Sequence, residues 1–411
     1  MNILFLTQIL PFPPNAGPRV KTWHVIKHLV QQGAHVHLVT FIRDEEVPYL
    51  PKVKEICEQV IPIPIQRNRI NDLVFLMKSI LTNQSFLVTR DGSNQLNESI
   101  ENLVKNSTYD FVHADQLTMA QFALTAKKFH QQYHPNVEAP TLIFDAHNAT
   151  WTILERMQTQ VPFFLRPLVK WEKNQVKKYE GFLLTSFDHT LAVTDIDKKA
   201  LLETIKKPLP EKNHLHVIPI AVDTQKIIPI QRETNSHNII TLGTLHYPPN
   251  ADGIRWFMRE IFPIIHHNDP HAKLTVIGKN PPKDFYQLQS IYPDQIQITG
   301  YVEVLEPYLE QATVMVIPVL AGGGMRVRIL EAFSRQIPVV TTTIGLEGID
   351  AVNGRDVLVA DSVASFAEAT LTLLNSESLQ QEVAENGRKL VQNKYDWKTV
   401  FSALNQIYGF D

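Results

Sequence analysis

A single cysteine, Cys57, occurs in 411 residues. No intrachain disulfide can form, which favours a reducing compartment. No apolar run is long enough to suggest a membrane-spanning helix. The opening MNILFLTQILPFPP is apolar but lacks the basic start and small-residue exit of a secretory signal. It reads as a first buried strand. A dominant charge is missing too: 39 basic and 42 acidic groups leave a formal charge of -3. That balance gives no support to broad nucleic-acid binding. The 16 histidines are scattered, without metal-ligand spacing, and no DxD motif or paired-carboxylate arrangement stands out. No cofactor and no essential metal are expected. The expected location is cytoplasmic, with peripheral attachment to the cytoplasmic face of the membrane left open.

What is present is a folded chain, 44% apolar, too long for one comfortable core and long enough for two α/β domains. NILFLT and HVHLVTF (35–41) are β-like runs separated by the helix-compatible WHVIKHLV, a parallel βαβ unit. YDFVHAD (109–115) and TLIFDAHN (141–148) add strand-to-loop transitions, and FDHTLAVTD (187–195) is expected to close the first sheet. HLHVIPIAVD (214–223) reads as the exit from that domain, followed by a polar connector. The rhythm restarts at NIITLGTL (238–245) and continues through KLTVIGK, QIQITGYV, ATVMVIPV, a long helix around RILEAFSR, IPVVTT and DVLVA. The pattern predicts two doubly wound, Rossmann-like domains: 1–215, a connector at 216–235, a second domain at 236–390, and a C-terminal crossover helix at 391–411. A helix break is expected near Asn393–Asp396, with Tyr395 and Trp397 either anchoring a crossover helix against the first domain or filling a local core. In such sheets ligands bind beyond the carboxyl ends of the strands, so the face between the domains is the expected cleft.

The densest chemistry is PVLAGGGMRVRILEAFSRQIPVVTTTIGLEG, from Pro318 to Gly348. Gly322, Gly323 and Gly324 allow close backbone approach, and the following helix points its positive end at the same place. Arg326 and Arg328, beside Met325, are suited to neutralising a diphosphate and stabilising it as charge builds during bond cleavage. Glu331, about one turn on, is suited to accept hydrogen bonds from ribose hydroxyls. Gly243, Thr244, Gly278, Tyr301, Val302 and Glu347 follow other expected strands and are candidates to line the same pocket.

These residues carry a resemblance that spans almost the whole chain. Together with PFPPNAGPR, DAHN, LGTLHYPPNADGIRWF and YDW, they resemble the retaining glycosyltransferases of GT-B architecture, family 4, in the branch with a GGG-x-R-x-R/K loop. The resemblance implies a nucleotide-diphosphate sugar as donor, held by the C-terminal domain. It implies an N-terminal domain that supplies most of the acceptor site, and transfer with retention of configuration. Glu331 matches the ribose-binding glutamate, and Arg326 and Arg328 fall in the phosphate-facing region. Two departures stand out. Gly323 occupies a position where many relatives carry a second glutamate, and GTLHYPPNADG lacks their arginine–lysine pair. Both shift the expected phosphate contacts toward Arg326 and Arg328.

On the acceptor side, Gly17 is expected to approach donor phosphate or sugar, and Arg19 has both anion-binding and surface readings. His147 is the candidate catalytic group, oriented by Asp145, with Asp115 a weaker candidate. The acceptor is a carbohydrate, lipid-linked or other hydroxyl, in glycan, polysaccharide or glycolipid synthesis. The apolar, partly basic stretches 69–90 and 161–178 either pack in the domain or meet a membrane surface. A nucleotide-sugar epimerase and a nonenzymatic sugar-nucleotide-binding regulator remain as alternatives.

Overall fold

The computed structural model describes residues 1–14, 17–65, 67–233 and 236–410. Asn15 and Ala16 of the opening motif, and residues 234–235 of the connector, lie outside them. The short apolar runs become strands buried on both faces, as helix-covered parallel sheets require. The first sheet contains β1 (Asn2–Thr7), β2 (His35–Ile42), β3 (Gln59–Pro64), β4 (Phe111–Asp115), β5 (Thr141–Asp145), β6 (His189–Ala192) and β7 (His214–Val217). Its order is β3-β2-β1-β4-β5-β6-β7, and every pairing is parallel. The second contains β8 (Asn238–Leu242), β9 (Lys273–Ile277), β10 (Ile296–Gly300), β11 (Val314–Ile317), β12 (Val339–Thr341) and β13 (Leu358–Val359). Its order is β10-β9-β8-β11-β12-β13, again all parallel. Each sheet therefore has one carboxyl edge, and each order reverses once, at β1/β4 and at β8/β11, which is where ligands enter doubly wound sheets.

Two compact units result: Met1–Ile220 with Phe401–Asp411, and Ala221–Val400. Each has its own core, centred on residues such as Leu4, Phe122 and Phe144 in the first and Ile239, Phe257 and Phe366 in the second. The C-terminal helix Trp397–Tyr408 begins after a break at Tyr395–Asp396, and its last turns belong to the first unit. Tyr395 and Trp397 are buried in the second unit, where Tyr395 Oη accepts from Asp350 N at 2.8 Å and Trp397 N donates to Val222 O at 3.1 Å.

Three expectations need correction. The first sheet does not end at 187–195; His214–Val217 pairs with β6 and forms its edge. The strand β3 has no counterpart in the sequence reading, because QVIPIP carries two prolines, which the edge position tolerates. The helix around RILEAFSR is short, Val327–Ser334, and ends before the strand that Pro338 introduces.

Candidate functional site

At the carboxyl edge of the second sheet, the predicted donor residues follow successive strands. Gly243 and Thr244 leave β8, Gly278 leaves β9, Tyr301 and Val302 leave β10, Gly322–Arg328 leaves β11, and Glu347 lies in the turn after β12. The packing there is close: a Cβ at Gly278 would fall 1.7 Å from Gly243 O. Gly322 and Gly324 have φ of 107° and 84°, which a side chain would strain. Arg326 folds back over this loop, donating from Nη1 to Gly323 O at 2.7 Å and Gly324 O at 2.9 Å. Arg328, in the first turn of the following helix, reaches Leu242 O at 2.7 Å and so ties that helix to the end of β8. Burial lowers the Arg328 pKa, with Glu331 opposing and Arg326 adding to the fall. Burial raises that of Glu331, offset in part by Arg335 and Arg328. Lys279 Nζ stands 4.3 Å over the exposed Tyr301 ring. Thr341 Oγ1 donates to Ile317 O at 2.7 Å, and Thr342 Oγ1 to Val319 O, so the turn holding Glu347 is stapled to the end of β11. A cavity of about 580 Å³ lined by Arg232, His237, Gln336 and Glu377 lies at the opposite, amino-terminal edge, away from these residues.

The carboxyl edge of the first sheet holds a buried polar network. Asp115 and Asp145 are register partners at the ends of β4 and β5. Lys21, fully buried on the helix Gly17–Gln31, donates to Asp145 Oδ1 at 2.6 Å. His147 Nε2 donates to Asp115 Oδ1 at 2.7 Å, and Thr22 Oγ1 lies 3.0 Å from both Asp115 oxygens. Asp145 Oδ1 is 3.9 Å from the imidazole, so Asp115, not Asp145, orients His147. Asp145 meets the histidine through the main chain, accepting from His147 N at 3.4 Å. His147 holds a φ of 54°, an uncommon conformation that marks a fixed loop. Burial alone would lower its pKa, but Asp115 and Asp145 outweigh burial and raise it. Burial would raise Asp145, but Lys21, His147 and His113 bring it below the usual carboxylate range. His113, stacked on Phe5 at 4.1 Å, is pushed down to about 4 by burial, and its Nδ1 is 2.6 Å from the Tyr408 hydroxyl. His113, Asp115 and Asp145 have ligand-type atoms within 4.8 Å of one another, yet Lys21, Thr22 and His147 already engage both carboxylates.

Gly17 starts the helix carrying Lys21, and a Cβ there would meet Ile220 at an ordinary 3.6 Å, so the position does not demand glycine for space within this unit. Arg19 pairs with the buried carboxylate of Glu46. The sequence reading missed Lys21 and Thr22. Their signal was there: both fall on the buried face shared with Val25, His28 and Leu29, where a lysine needs a partner.

Two buried glutamates on the helix Arg166–Ser186 hold neighbouring loops. Glu172 accepts from Ser85 Oγ at 2.6 Å, Phe86 N at 2.8 Å and Leu87 N at 3.1 Å, capping the helix Phe86–Arg90. Glu180 accepts from Thr150 N at 2.6 Å and Trp151 N at 3.3 Å, capping the helix that follows His147.

Residues 236–376 match the family described as glycosyl transferases group 1. The whole chain is similar to an uncharacterized 44.6 kDa protein in the cps region of Klebsiella pneumoniae, 22% identical over 98% of both chains. A segment covering 36% of this chain and 40% of the relative is 28% identical to the capsular polysaccharide biosynthesis glycosyltransferase CapM of Staphylococcus aureus. Among solved structures, HepE of Anabaena in complex with UDP superposes with a TM-score of 0.69 over all of both chains, at 12% identity. The architecture is GT-B, and the chain is an enzyme of glycosyl transfer.

Proposed function

We propose that this enzyme transfers a sugar, with retention of configuration, from a nucleotide-diphosphate donor to an acceptor hydroxyl in the synthesis of a surface glycan, polysaccharide or glycolipid. The observation that carries the reading is the gathering of Gly243, Gly278, Tyr301, Gly322–Arg328 and Glu347 at one carboxyl edge, with Glu331 on the next turn. The UDP-bound structure of HepE and the capsular role in the name of CapM support it. In this reading Glu331 accepts from the ribose hydroxyls. Loop amides, the helix start, Arg326 and Arg328 receive the diphosphate and stabilise it as it leaves. His147, whose pKa Asp115 raises, serves the acceptor. The departing diphosphate takes the acceptor proton on the same face, and turnover is metal-independent.

The same reading includes peripheral attachment to a membrane. No helix among the described residues is long and apolar enough to cross one. The helix Arg69–Thr82, however, exposes Ile70, Leu73, Val74, Met77 and Leu81 at three- and four-residue steps, each by more than half. Phe163 and Phe164 are similarly exposed, close in sequence to exposed Arg166 and Lys170. An apolar stripe with basic neighbours suits an anionic interface.

The test is mass-resolved turnover of a nucleotide-sugar panel with extracted cellular acceptors, following both sugar incorporation and nucleotide release. A heavier, donor-dependent product with the donor's anomeric configuration is expected, undiminished by a chelator. Interconversion of the donor without acceptor labelling would replace the reading with an epimerase. Donor binding without either product would replace it with a regulator. Flotation with anionic vesicles is expected, and its loss in Leu73→Glu with Leu81→Glu would assign the stripe.

A further inference from the structure

A second cavity opens at the carboxyl edge of the first sheet, over β1, β2 and β3, on the other side of β1 from the His147 network. Its volume is about 230 Å³, and Gln8, Phe41, Arg43, Ile65, Arg67 and Arg90 are among its walls. A water takes up about 30 Å³ of liquid, so there is room for a phosphate or diphosphate group.

Three guanidinium groups line this cavity, and one buried carboxylate holds two of them, Arg67 and Arg90. Asp91 accepts from Arg67 Nη2 at 2.7 Å and Arg90 Nε at 3.3 Å through Oδ1, and from Gln8 Nε2 at 2.5 Å through Oδ2. Asp91 is 1% exposed, while Arg67 and Arg90 keep partial exposure toward the cavity. Arg90 also lies 5.4 Å from the Phe86 ring centre, and among the described residues its terminal nitrogens have no hydrogen-bond partner. Among the described residues, the Arg43 guanidinium makes only a 3.8 Å contact with the exposed Glu45. Glu46, also in the wall, is already committed to Arg19 and to the Arg43 amide. The cavity residues and their direct partners carry four arginines, Arg19 included, together with the buried Asp91 and Glu46 and the exposed Glu45, and Asp72 acts on Arg67 as well. Burial lowers the Arg67 pKa, Asp91 and Asp72 oppose the fall, and Arg90 and Arg43 add to it. Arginine side chains around a concave, partly dry site suit anion recognition.

We infer that this cavity binds a phosphate or diphosphate group carried by the acceptor. Adjacent strands are about 4.8 Å apart, so a group seated over β2 lies roughly 10 Å from the end of β4, about one sugar ring away from Asp115 and His147. The word acceptor rests on the transferase reading above; the anion site itself does not, and it can be measured without turnover.

The experiment is calorimetric titration of the full chain with inorganic pyrophosphate under saturating UDP, which occupies the anion site proposed in the second unit. Arg43→Gln is expected to weaken binding about tenfold, and Arg43→Gln with Arg90→Gln about a hundredfold, with far-UV circular dichroism and UDP affinity unchanged. Because the Arg43 side chain holds a loose surface contact and no hydrogen bond among the described residues, its variant remains informative if the double variant misfolds. No pyrophosphate binding by the natural protein, or equal affinity in folded Arg43→Gln, would overturn the inference. So would glucuronate competing as well as phosphate, since that would make the ligand a carboxylate. Competition by a sugar phosphate or by a polyprenyl diphosphate in detergent supports the site and tells which source supplies the group. Loss of UDP binding with pyrophosphate binding intact would strike the donor reading alone.

Discussion

At the carboxyl edge of the first sheet cations meet carboxylates: Lys21 on Asp145, His147 on Asp115, Arg19 on Glu46. At the same edge of the second sheet, Arg326 donates to the carbonyls of Gly323 and Gly324 and Arg328 to that of Leu242. A carbonyl fixes a guanidinium without cancelling its charge, whereas a carboxylate fixes and cancels together. One topology, used twice, therefore gives paired charges beside β4 and β5 of the first sheet and, in the second, an Arg328 whose carbonyl partner leaves its charge in place beside Glu331.

The largest effect expected from breaking this contrast is at Arg328. Arg328→Ala removes a cation whose charged hydrogen bonds are worth about 1.5–3 kcal/mol each, and should weaken UDP binding by about a hundredfold in calorimetry. Unchanged affinity in a folded variant would remove Arg328 from the anion site of the second edge.

Asp115→Asn tests the first edge. It keeps the shape but removes the charge that raises the His147 pKa, so kcat should fall about tenfold with donor affinity unchanged. The alkaline limb of the rate profile should move to lower pH, since the opposite charge that favours the protonated imidazole is gone. Stability follows the same sign. A folded-state pKa above the ordinary 6.5 stabilises the protein at pH below 6.5, and the contribution is lost as pH rises through the raised value. Asp115→Asn should flatten that slope, and an unshifted profile would show that Asp115 does not set the charge of His147.

Gly278→Ala asks whether the second edge depends on close main-chain packing. With 1.7 Å between the added Cβ and Gly243 O, a loss of about 2 kcal/mol is expected, or roughly 4–8 °C in melting temperature. The smallest effect concerns Glu180, which burial pushes up to about 8 despite its two backbone donors. Between its ordinary 4.5 and that value the folded state holds the extra proton, so stability falls as pH rises across this window. Glu180→Gln should reduce the fall in melting temperature between about pH 5 and about pH 9. An identical slope in the variant would assign the proton elsewhere.

Most of the framework was legible because parallel strands buried on both faces read as short apolar runs, such as TLIFD and VMVI, each followed by polar loop residues. The donor edge was legible for the same reason: GGGMRVR follows VMVI after only four residues, and nearness in sequence became nearness in space. The first edge was less so. Lys21 and Asp145 are 124 residues apart, and Thr22 and Asp115 are 93. Only the sheet order brings them together, and no local pattern states that β4 lies beside β1. The arginine cavity was hidden likewise, since Arg43, Arg67 and Arg90 sit in separate loops and helix ends.

The helix Arg166–Ser186 carries a consequence for the order of assembly. Its Glu172 closes contacts 85–87 residues back along the chain, and its Glu180 closes contacts 29–30 residues back. The start of Thr150–Gln160, which anchors the loop of His147, has no side-chain cap from its own N-cap residue and waits for that helix to dock, and until then Phe86–Arg90, which presents Arg90, has only the local Ser85 cap. Long loops close at an entropic cost that local contacts do not bear, so these two segments should gain their amide protection late and together during refolding. Catalytic competence in the first unit would then arrive with the docking of one helix, after both sheet edges on either side of β1 are already in place.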